Sequence, residues 1–510
     1  MLVKILIIVL VAVVAAFLLY FLYIRKCISA KVCAVISVCC LLVLVVGSML
    51  LLKPGAEESS GNKNNVYANA DPTDRDEESR IMDMIMWYDI DTGPTTNGRP
   101  QRGWWPLNPQ HPDKVSVSGN YRTTNPLLGL YDQRDPKTAR QHLYWIAALG
   151  CNGMAVDWTN YTSHRLALQN SGEGWYKYCS GVYKNTEVLL NASKSEMEFE
   201  APKIYITVRL SGNDYDSLSE VLTDVYTLYE KYPEAWYFLD DGTSQSDKPF
   251  IVIFIDSTIR EQLIKGDFTF KDDRFNIRYS NGYLSSSTKS EKDGTKSISG
   301  DVPLWFFVEA EEDPSAGEGM YRIFHKDSAD GSVEQMIAWA SVHKGGENWD
   351  ELNHVLSGMT TFERTLRGVA ELSPKALLVN RFNYALAWKE EPQEGLSLYA
   401  STHIEPNEDF GFLIFDNVKE NLYDLNKWNH YAPAAPKIVS TSENTVYLNL
   451  DEYPTEYRIY LDGEQGEWTY YNVNDGIEIP EEWQGQTYYI QTRNTFGESE
   501  VSEYTADMLP

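Results

Sequence analysis

Residues 136–158 read PKTARQHLYWIAALGCNGMAVDW, and this stretch decides the fold class. The first part has apolar residues at helical spacing and stops at Gly150, and glycine commonly follows the last turn of a helix. The second part, NGMAVDW, is a short and mostly apolar run of the kind that forms a buried strand. A helix followed at once by a buried strand predicts a parallel sheet that is covered by helices on both faces.

The same alternation extends in both directions along the chain. Further apolar runs predict strands at residues 81–90, 203–210, 248–256, 274–280, 302–310, 334–342 and 375–382, and helical spacing recurs at 218–232 and 359–372. About eight strands alternating with helices predict an α/β fold, a (β/α)8 TIM-like barrel over residues 81–432. A doubly wound open sheet is the alternative, although no Gly-rich phosphate-binding turn follows the first strand.

The first 53 residues predict a membrane anchor of two transmembrane helices. Residues 5–24 and 32–52 are apolar runs without a charge, each long enough to cross a bilayer as a helix. The connector IRKCISAK between them is basic, and the positive-inside tendency places such a loop in the cytoplasm. We therefore expect the chain at the cell membrane with its bulk extracytoplasmic. Residues 54–80 are polar and predict a flexible stalk.

The sequence pattern changes again near residue 433, after the predicted barrel. Residues 433–510 hold short alternating strands and turn signals without a helical stretch, which predicts a small β-sandwich. An opening PKI, a YRIYLDG hairpin, a YYIQTRN strand and a closing FGES make this segment resemble a fibronectin type III domain.

Composition excludes some partners and favours others. The formal net charge of −29 repels phosphate backbones, so nucleic acid is not expected as a partner. There is no CxxC pair and no metal site is predicted; whether Cys151 and Cys179 form a disulfide is open. Aromatic residues make up 13% of the chain, which suits stacking on sugar rings. Trp104 and Trp105, adjacent on a loop rich in Pro and Gly, are candidates for such a glycan platform.

The predicted strands end in polar residues, and in a barrel these ends surround the active site. Candidate substrate-binding residues there are Asp89, Asp157, Trp158, Glu309 and His343. Asp157 has two interpretations, as a ligand for a sugar hydroxyl or as a cap on backbone N–H groups. Trp158 likewise either stacks on sugar or packs in the core.

Two stretches resemble glycoside hydrolases of the endo-α-mannosidase type, families 71 and 99. The first is NPLLGLYDQRDPKTARQHLYWIAALGCNGMAVDWTN at 125–160, and the second is MTTFERTLRGVAELSPKALLVNRFN at 359–383, followed by THIEP and EDFG. The resemblance covers roughly residues 81–430. It implies a (β/α)8 barrel that cleaves or binds polysaccharides or oligosaccharides, often α-mannosides, with no metal or cofactor in the chemistry.

The resemblance also implies a place for two catalytic carboxylates. Family enzymes carry them in an N-E-W-x-E stretch directly after the last strand. In this chain Asn383 follows that strand and Tyr384 stands where the first glutamate is expected. Tyrosine ionises only near pH 10, so it is a poor acid at neutral pH. Asn383 and Tyr384 are therefore substrate-binding candidates.

A second alignment uses the loop WKEEPQEG at 388–395. Glu390 and Glu394 then match the two family acids, and Glu391 keeps the three-residue spacing to Glu394. Glu390, Glu391 and Glu394 are the catalytic candidates, because glycoside cleavage commonly needs two carboxylates that flank one bond. The alternative is that this acidic run is only a solvated loop.

Two functions follow from these alignments. The first is a membrane-anchored, extracytoplasmic glycoside hydrolase that cleaves α-linked glycans, mannan among them. The second is a catalytically inactive relative that binds or scaffolds cell-envelope polysaccharide. Both share one fold, so the acids of the last loop separate them.

Overall fold

The structure is a computed structural model. It describes residues 82–90, 121–122, 126–129, 131–159, 161, 172–195, 197–210, 214–281, 295–298, 303–306, 322–326, 333–340, 362–363, 366, 369, 374–383, 386–387, 404–408, 410–483 and 485–505.

Twelve strands lie in the described residues before the C-terminal segment. In chain order they are β1 (Asp83–Asp89), β2 (Tyr121–Arg122), β3 (Gly153–Asp157), β4 (Lys203–Arg209), β5 (Phe250–Ile255), β6 (Asn276–Asn281), β7 (Thr295–Ile298), β8 (Leu304–Phe306), β9 (Arg322–Lys326), β10 (Val333–Trp339), β11 (Ala376–Asn380) and β12 (Leu386–Ala387).

Eight of these strands form one parallel run. Their order is β10–β11–β1–β3–β4–β5–β6–β8, and every neighbouring pair is parallel. The two end strands, β8 and β10, approach each other, so the sheet is a nearly closed TIM-like barrel. Glu334 bridges this side, because its Oε1 accepts hydrogen bonds from Trp305 Nε1 and Arg278 Nε, both at 2.6 Å.

Side chains alternate across each strand and divide the apolar residues into two layers. The inner layer fills the barrel with Ile85, Trp87, Ala155, Tyr205, Phe250, Val252, Trp305, Ile337, Ala376 and Leu378. The intervening residues of the same strands pack outward in a larger core with the helices. The barrel interior is therefore a packed core and not a pore.

The helices of the described residues cover the outside of the sheet. They are α1 (Pro136–Ala148), α2 (Gly172–Lys194), α3 (Tyr215–Lys231), α4 (Ser257–Lys265) and α5 (Leu413–Asn426).

Local sequence explains the limits of α1. Pro136 opens the helix, and the Asp135 side chain accepts a hydrogen bond from Lys137 N at 2.9 Å. Gly150 follows its end with φ of +89°, a conformation that glycine adopts readily. A Cβ at this position would also collide with the ring of Trp428. The stop predicted at Gly150 is thus explained by its backbone angle and by close packing.

Two features depart from simple alternation of strands and helices. β9 pairs antiparallel with β10 and β7 pairs with β9, so the sheet continues beyond the barrel strands to ten. β2 and β12 form a separate antiparallel pair. The region between β6 and β10 therefore contains additional strands that apolar periodicity did not predict.

The C-terminal segment is built from β13 (Ile438–Ser442), β14 (Thr445–Leu448), β15 (Glu456–Leu461), β16 (Thr469–Tyr470), β17 (Ile477–Glu478), β18 (Tyr488–Asn494), β19 (Gly497–Glu498) and β20 (Ser502–Tyr504). The first sheet is β13–β14–β17, and the second joins β16, β15, β18, β19 and β20. Val446 and Ile490, one from each sheet, belong to the same core. Two antiparallel sheets thus pack together, while membership of the fibronectin type III family stays a prediction.

These sheets lie directly against the barrel helices. Gln141 Oε1 in α1 accepts a hydrogen bond from Val473 N at 2.8 Å, and Asp416 Oδ1 in α5 accepts one from Thr495 Oγ1 at 2.7 Å. Both acceptors are largely buried, so the contact is part of the folded core.

In the part of the chain that the structure describes, no helix has the length and apolar character that a membrane span requires. The two predicted spans and the predicted stalk fall in residues 1–80, outside the described residues. The anchor and the cell-membrane location therefore stay predictions.

Candidate functional site

The carboxyl ends of three neighbouring strands place a row of polar residues on the inner side of the barrel. Asp89, Asp157 and Thr207 each lie two positions after a residue of the inner apolar layer, so they share its face. Asp89 is in register with Asp157, and Asp157 is in register with Thr207. We call these three the inner row. Adjacent strands are about 4.8 Å apart, which brings the two carboxylates close together.

Asp157 has a local structural role as well as its place in the inner row. Its Oδ1 accepts a hydrogen bond from Thr159 N at 2.7 Å and so caps the turn after β3. The sequence left two interpretations of Asp157 open, a ligand for a sugar hydroxyl and a cap on backbone N–H groups. Both are compatible with this position, because Oδ1 makes the cap and the carboxylate has a second oxygen.

Trp158 lies on the other side of the strand. It is 1% exposed, its indole N–H donates to Thr186 Oγ1 in α2 at 2.8 Å, and its ring stacks on Tyr161 at 4.4 Å. The predicted contact between Trp158 and sugar gains no support from this packing between strand and helix.

Asp89 is held in place by its backbone. Asn383 accepts a hydrogen bond from Asp89 N at 2.9 Å and donates to Asp89 O at 3.0 Å. Gln133 Nε2 donates to the same carbonyl at 2.9 Å. The Asp89 carboxylate lies 3.9 Å from the Arg381 guanidinium, and its side chain is 20% exposed. Asn383 thus fixes the end of β1, although the sequence predicted it as a substrate contact.

Behind β1, on the helix side, these contacts continue as a chain of buried hydrogen bonds. Tyr88 and His142 Nδ1 are 2.8 Å apart, and His142 Nε2 is 3.0 Å from Glu405 Oε1. The Tyr131 hydroxyl donates to Glu405 Oε2 at 3.0 Å and also interacts with the Asn383 side chain. Gln133 Nε2 lies 3.4 Å from the Tyr88 hydroxyl.

These links close on themselves. We call the set the polar ring: Asp89, Asn383, Tyr131, Glu405, His142, Tyr88 and Gln133. It joins β1, α1, the loop before α1, the end of β11 and the 404–407 segment. Burial, followed by the charge of Glu405, raises the pKa of both Tyr88 and Tyr131 well above the ordinary tyrosine value. Both tyrosines therefore stay protonated as hydrogen-bond donors.

The donor inventory assigns one tautomer to His142. Glu405 accepts only, so His142 Nε2 carries the proton between them. The Tyr88 hydroxyl contacts Gln133 Nε2 and His142 Nδ1. Because an amide nitrogen only donates, Gln133 cannot accept the hydroxyl proton, and the Tyr88 hydroxyl therefore donates to His142 Nδ1. With hydrogen on Nε2 and the acceptor lone pair on Nδ1, the imidazole satisfies both Glu405 and Tyr88.

Two inner-face residues contrast with the ring. Asn380 ends β11 and is fully buried, yet neither Nδ2 nor Oδ1 has a hydrogen-bond partner among the described residues. Thr207 Oγ1, in the inner row, is also buried and unpartnered within the described part of the chain. Leaving such a group unsatisfied costs about 1–3 kcal/mol, so each one needs an explanation.

The remaining predicted site residues fall outside the described residues. They are Glu390, Glu391 and Glu394 of the catalytic set, and Tyr384, Glu309, His343, Trp104 and Trp105 of the substrate-binding set. Their roles stay predictions.

Sequence reasoning missed several residues of this region. His142 and Glu405 were noticed only as parts of the family-like motifs, with no role as a buried pair. Asn380 and Thr207 were read as strand residues. One signal was available: the asparagine that closes the apolar run ALLVN is unusual in a strand with both faces buried.

Comparison with known proteins gives distant matches to solved structures. No protein-family profile and no curated protein matches the chain. Among solved structures, the GH99 endo-α-mannosidase from Bacteroides thetaiotaomicron matches with 13% identity and a TM-score of 0.38, covering 68% of this chain and 97% of that one. The same enzyme in complex with bis-tris propane matches with 12% identity and a TM-score of 0.37, covering 68% and 95%.

A glycosyl hydrolase family 2 member from Bacteroides cellulosilyticus matches with 11% identity and a TM-score of 0.24, covering 75% of this chain and 45% of that one. TM-scores this low do not establish a shared family. The barrel assignment rests on the strand pairing described above.

Proposed function

We propose that the protein is a glycoside hydrolase that acts on α-linked glycans at the carboxyl end of its barrel. The observation that carries the proposal is the inner row, in which Asp89 and Asp157 lie side by side at the ends of neighbouring parallel strands. Active sites of (β/α)8 barrels lie at this end. The resemblance of residues 125–160 and 359–383 to endo-α-mannosidase-type enzymes supplies the substrate class.

The proposed chemistry divides the acids into two groups. Asp89 and Asp157 accept hydrogen bonds from sugar hydroxyls and orient the glycan. Two of Glu390, Glu391 and Glu394 flank the scissile bond, one as general acid on the leaving oxygen and the other assisting at the anomeric carbon. The general acid must be kept protonated by burial or by a neighbouring charge.

The proposed reaction takes place on the outer side of the cell membrane. Residues 1–53 anchor the chain in the cell membrane, and the basic connector between the two apolar runs stays in the cytoplasm. The acidic bulk then lies outside, next to envelope or environmental glycans.

The test uses the full-length chain in mild detergent. It is incubated with α-1,2-, α-1,3- and α-1,6-linked mannans, and released oligosaccharides are measured by chromatography. The triple variant Glu390→Gln, Glu391→Gln, Glu394→Gln should lower the rate by at least about 100-fold, the usual scale for losing a general acid or base. The double variant Glu464→Gln, Glu467→Gln, on an exposed loop of the C-terminal sheets, is the matched control. Release by the triple variant at the wild-type rate would contradict the catalytic assignment.

A second candidate is an inactive glycan binder. The observation in its favour is that Asn383, next to the expected acid position, uses its amide on the backbone of Asp89, and that a tyrosine follows it. Retention of the chain on immobilised mannan without any released product would favour this binder over the hydrolase.

A further inference from the structure

The inner face of β4 passes from the packed core to the barrel mouth, the space at the carboxyl ends of the strands, within one step. Tyr205 and Thr207 are buried, whereas Arg209, the next residue on the same face, is exposed. The packed interior therefore ends at Thr207. The side chain of Arg209 lies above it, where solvent and a dissolved ligand have access.

The neighbouring strand places an aromatic ring beside this guanidinium. Phe254 of β5 is in register with Arg209 and packs against the inner apolar layer, with its ring centroid 6.4 Å from that of Trp87. Phe254 is only half-buried, so part of its surface is open at the mouth. Apolar surface with a few convergent polar groups is typical of ligand sites.

Charges of opposite sign meet at the ends of four neighbouring strands. In strand order, β11 is followed by Arg381 and β1 ends in Asp89. The next strand, β3, ends in Asp157, and β4 ends in Arg209. The guanidinium of Arg381 lies 3.9 Å from the Asp89 carboxylate. Along these four strand ends two arginines offset two acids, although the chain as a whole has 73 acidic residues against 44 basic ones.

The chemistry of these groups suits different parts of a glycan. A carboxylate only accepts hydrogen bonds, so Asp89 and Asp157 suit sugar hydroxyls, whereas a guanidinium only donates. Its planar fork fits two oxygens of a carboxylate or a phosphate at once. Because Thr207 is in register with Asp157, Arg209 lies about 7 Å beyond the level of that acid along the strands. An anion on Arg209 therefore stays clear of the Asp157 carboxylate.

We infer that Arg209 is a specificity-determining residue that binds the anionic group of an acidic sugar unit, with the sugar ring against Phe254 and its hydroxyls towards Asp157. This inference rests on the proposed function and deepens it, because it narrows the substrate from α-linked glycans to acidic ones. The recognised chemistry is an oxyanion on a sugar, which a sugar acid and a sugar phosphate share.

The test compares ligands that differ only in their acidic groups. α-1,4-Linked galactobiose is paired with α-1,4-linked digalacturonate, and α-1,2-linked mannobiose is paired with its 6-phosphate. The Kd of each ligand for the full-length chain in mild detergent is measured by calorimetry, at about 20 mM and about 300 mM salt.

If the inference holds, at least one acidic ligand binds at least about tenfold more tightly than its neutral counterpart at low salt, because a charge-assisted contact contributes that much. The preference should shrink at high salt, since exposed charges are screened. Preference within the galactose pair identifies a carboxylate as the recognised anion, and preference within the mannose pair identifies a phosphate.

Variants of β4 assign the preference to one side chain. Arg209→Gln should abolish it, and Arg209→Lys, which keeps the charge but not the fork, should retain part of it. Lys203→Gln is the matched control, because Lys203 is the exposed cation at the opposite end of the same strand. This control should keep the full preference. Arg209→Gln should leave Tm unchanged, because the side chain is exposed.

Three results would overturn the inference while the proposed function stands. The wild-type chain could bind neutral α-linked ligands as tightly as their acidic counterparts. Arg209→Gln could keep the preference. Lys203→Gln could lose it equally, which would assign the preference to net charge and not to the site. If the wild-type chain neither binds nor cleaves any α-linked glycan, neutral or acidic, the proposed function fails, and the inference fails with it.

Discussion

The two faces of the sheet near β1 and β11 treat buried polar groups in opposite ways. On the helix side, the polar ring gives each donor an acceptor, from Tyr131 through Glu405 to His142. On the inner side, Asn380 and Thr207 have no partner among the described residues. Burial is nearly complete in both regions, so burial alone does not explain the difference. Satisfied groups stabilise the fold, whereas each unsatisfied buried group costs about 1–3 kcal/mol of stability.

The largest expected effect comes from opening the polar ring at Glu405. Glu405→Leu leaves the Tyr131 hydroxyl and His142 Nε2 without their acceptor, and two buried orphan donors should lower the free energy of unfolding by about 2–6 kcal/mol. Chemical denaturation of the full-length chain measures this. Glu405→Gln keeps one acceptor oxygen and should lose clearly less. Equal stability of Glu405→Leu and wild type would mean that the ring does not hold this face together.

Asp416 lies between the satisfied groups of the polar ring and the unsatisfied groups of the inner face. Its carboxylate is largely buried, and it accepts a hydrogen bond from Thr495 Oγ1. Burial raises its pKa to about 6, against the hydrogen bond from Thr495 and the charge of Lys419, which lower it. Because the folded pKa exceeds the unfolded value, its protonation stabilises the fold below about pH 4, and that contribution is lost as pH rises through about 6. The expected change is about 2–3 kcal/mol.

Unfolding free energy measured from pH 4 to pH 8 tests this change. Asp416→Asn has no such titration, so its curve should be flatter and its stability at pH 8 higher than that of the wild type. An unchanged slope in this variant would assign the pH dependence to other groups.

A smaller effect is expected from Tyr88→Phe. The substitution removes one donor to His142 and one acceptor for Gln133, and it should destabilise the chain by about 1–2 kcal/mol. The His142 tautomer should stay the same, because Nε2 still donates to Glu405, although Nδ1 loses the hydrogen bond that it accepts from Tyr88. Nitrogen-15 NMR of the imidazole should report hydrogen on Nε2 in wild type. A proton on Nδ1 there would contradict the hydrogen-bond directions assigned to the ring.

The smallest expected stability effect lies on the inner face. Thr207→Val keeps the shape of the side chain and should change the free energy of unfolding by no more than about 1 kcal/mol, in the stabilising direction. The comparison with Tyr88→Phe is direct, since both variants delete one buried hydroxyl. A loss as large as that of Tyr88→Phe would remove the distinction between the two faces.

Much of the barrel could be predicted from apolar runs. The strands expected at 81–90, 203–210 and 248–256 match β1, β4 and β5 within two residues at each end. The helices α2, α4 and α5 were not predicted. The α2 sequence, GEGWYKYCSGVYKNTEVLLNASK, contains three glycines and many polar residues, so its helical period is weak. Contact with the rest of the barrel stabilises α2, and the apolar periodicity of its sequence does not reveal that contact.

The site was predictable in position but less so in role. Asp89 and Asp157 end their strands as expected and face the interior. Trp158 is next to them in sequence, but it points to the opposite face, because adjacent residues of an extended chain alternate. Asn383 makes its described hydrogen bonds with the backbone of Asp89 and with the Tyr131 side chain, and not with an open surface. Partners more than 250 residues away, such as Glu405 for His142, lie beyond any local pattern.

By itself the sequence determined the barrel class, the helix stop at Gly150 and the carboxylates at two strand ends, because apolar periodicity and turn chemistry act over a few residues. Only the tertiary structure decided which polar residues pair and which do not. Hydrogen bonds in the ring join segments from Tyr88 to Glu405, and their energy depends on distances that exist only after folding. Asn380 and Thr207 look ordinary as letters in a strand, and only the folded barrel shows that their polar atoms are buried without partners among the described residues.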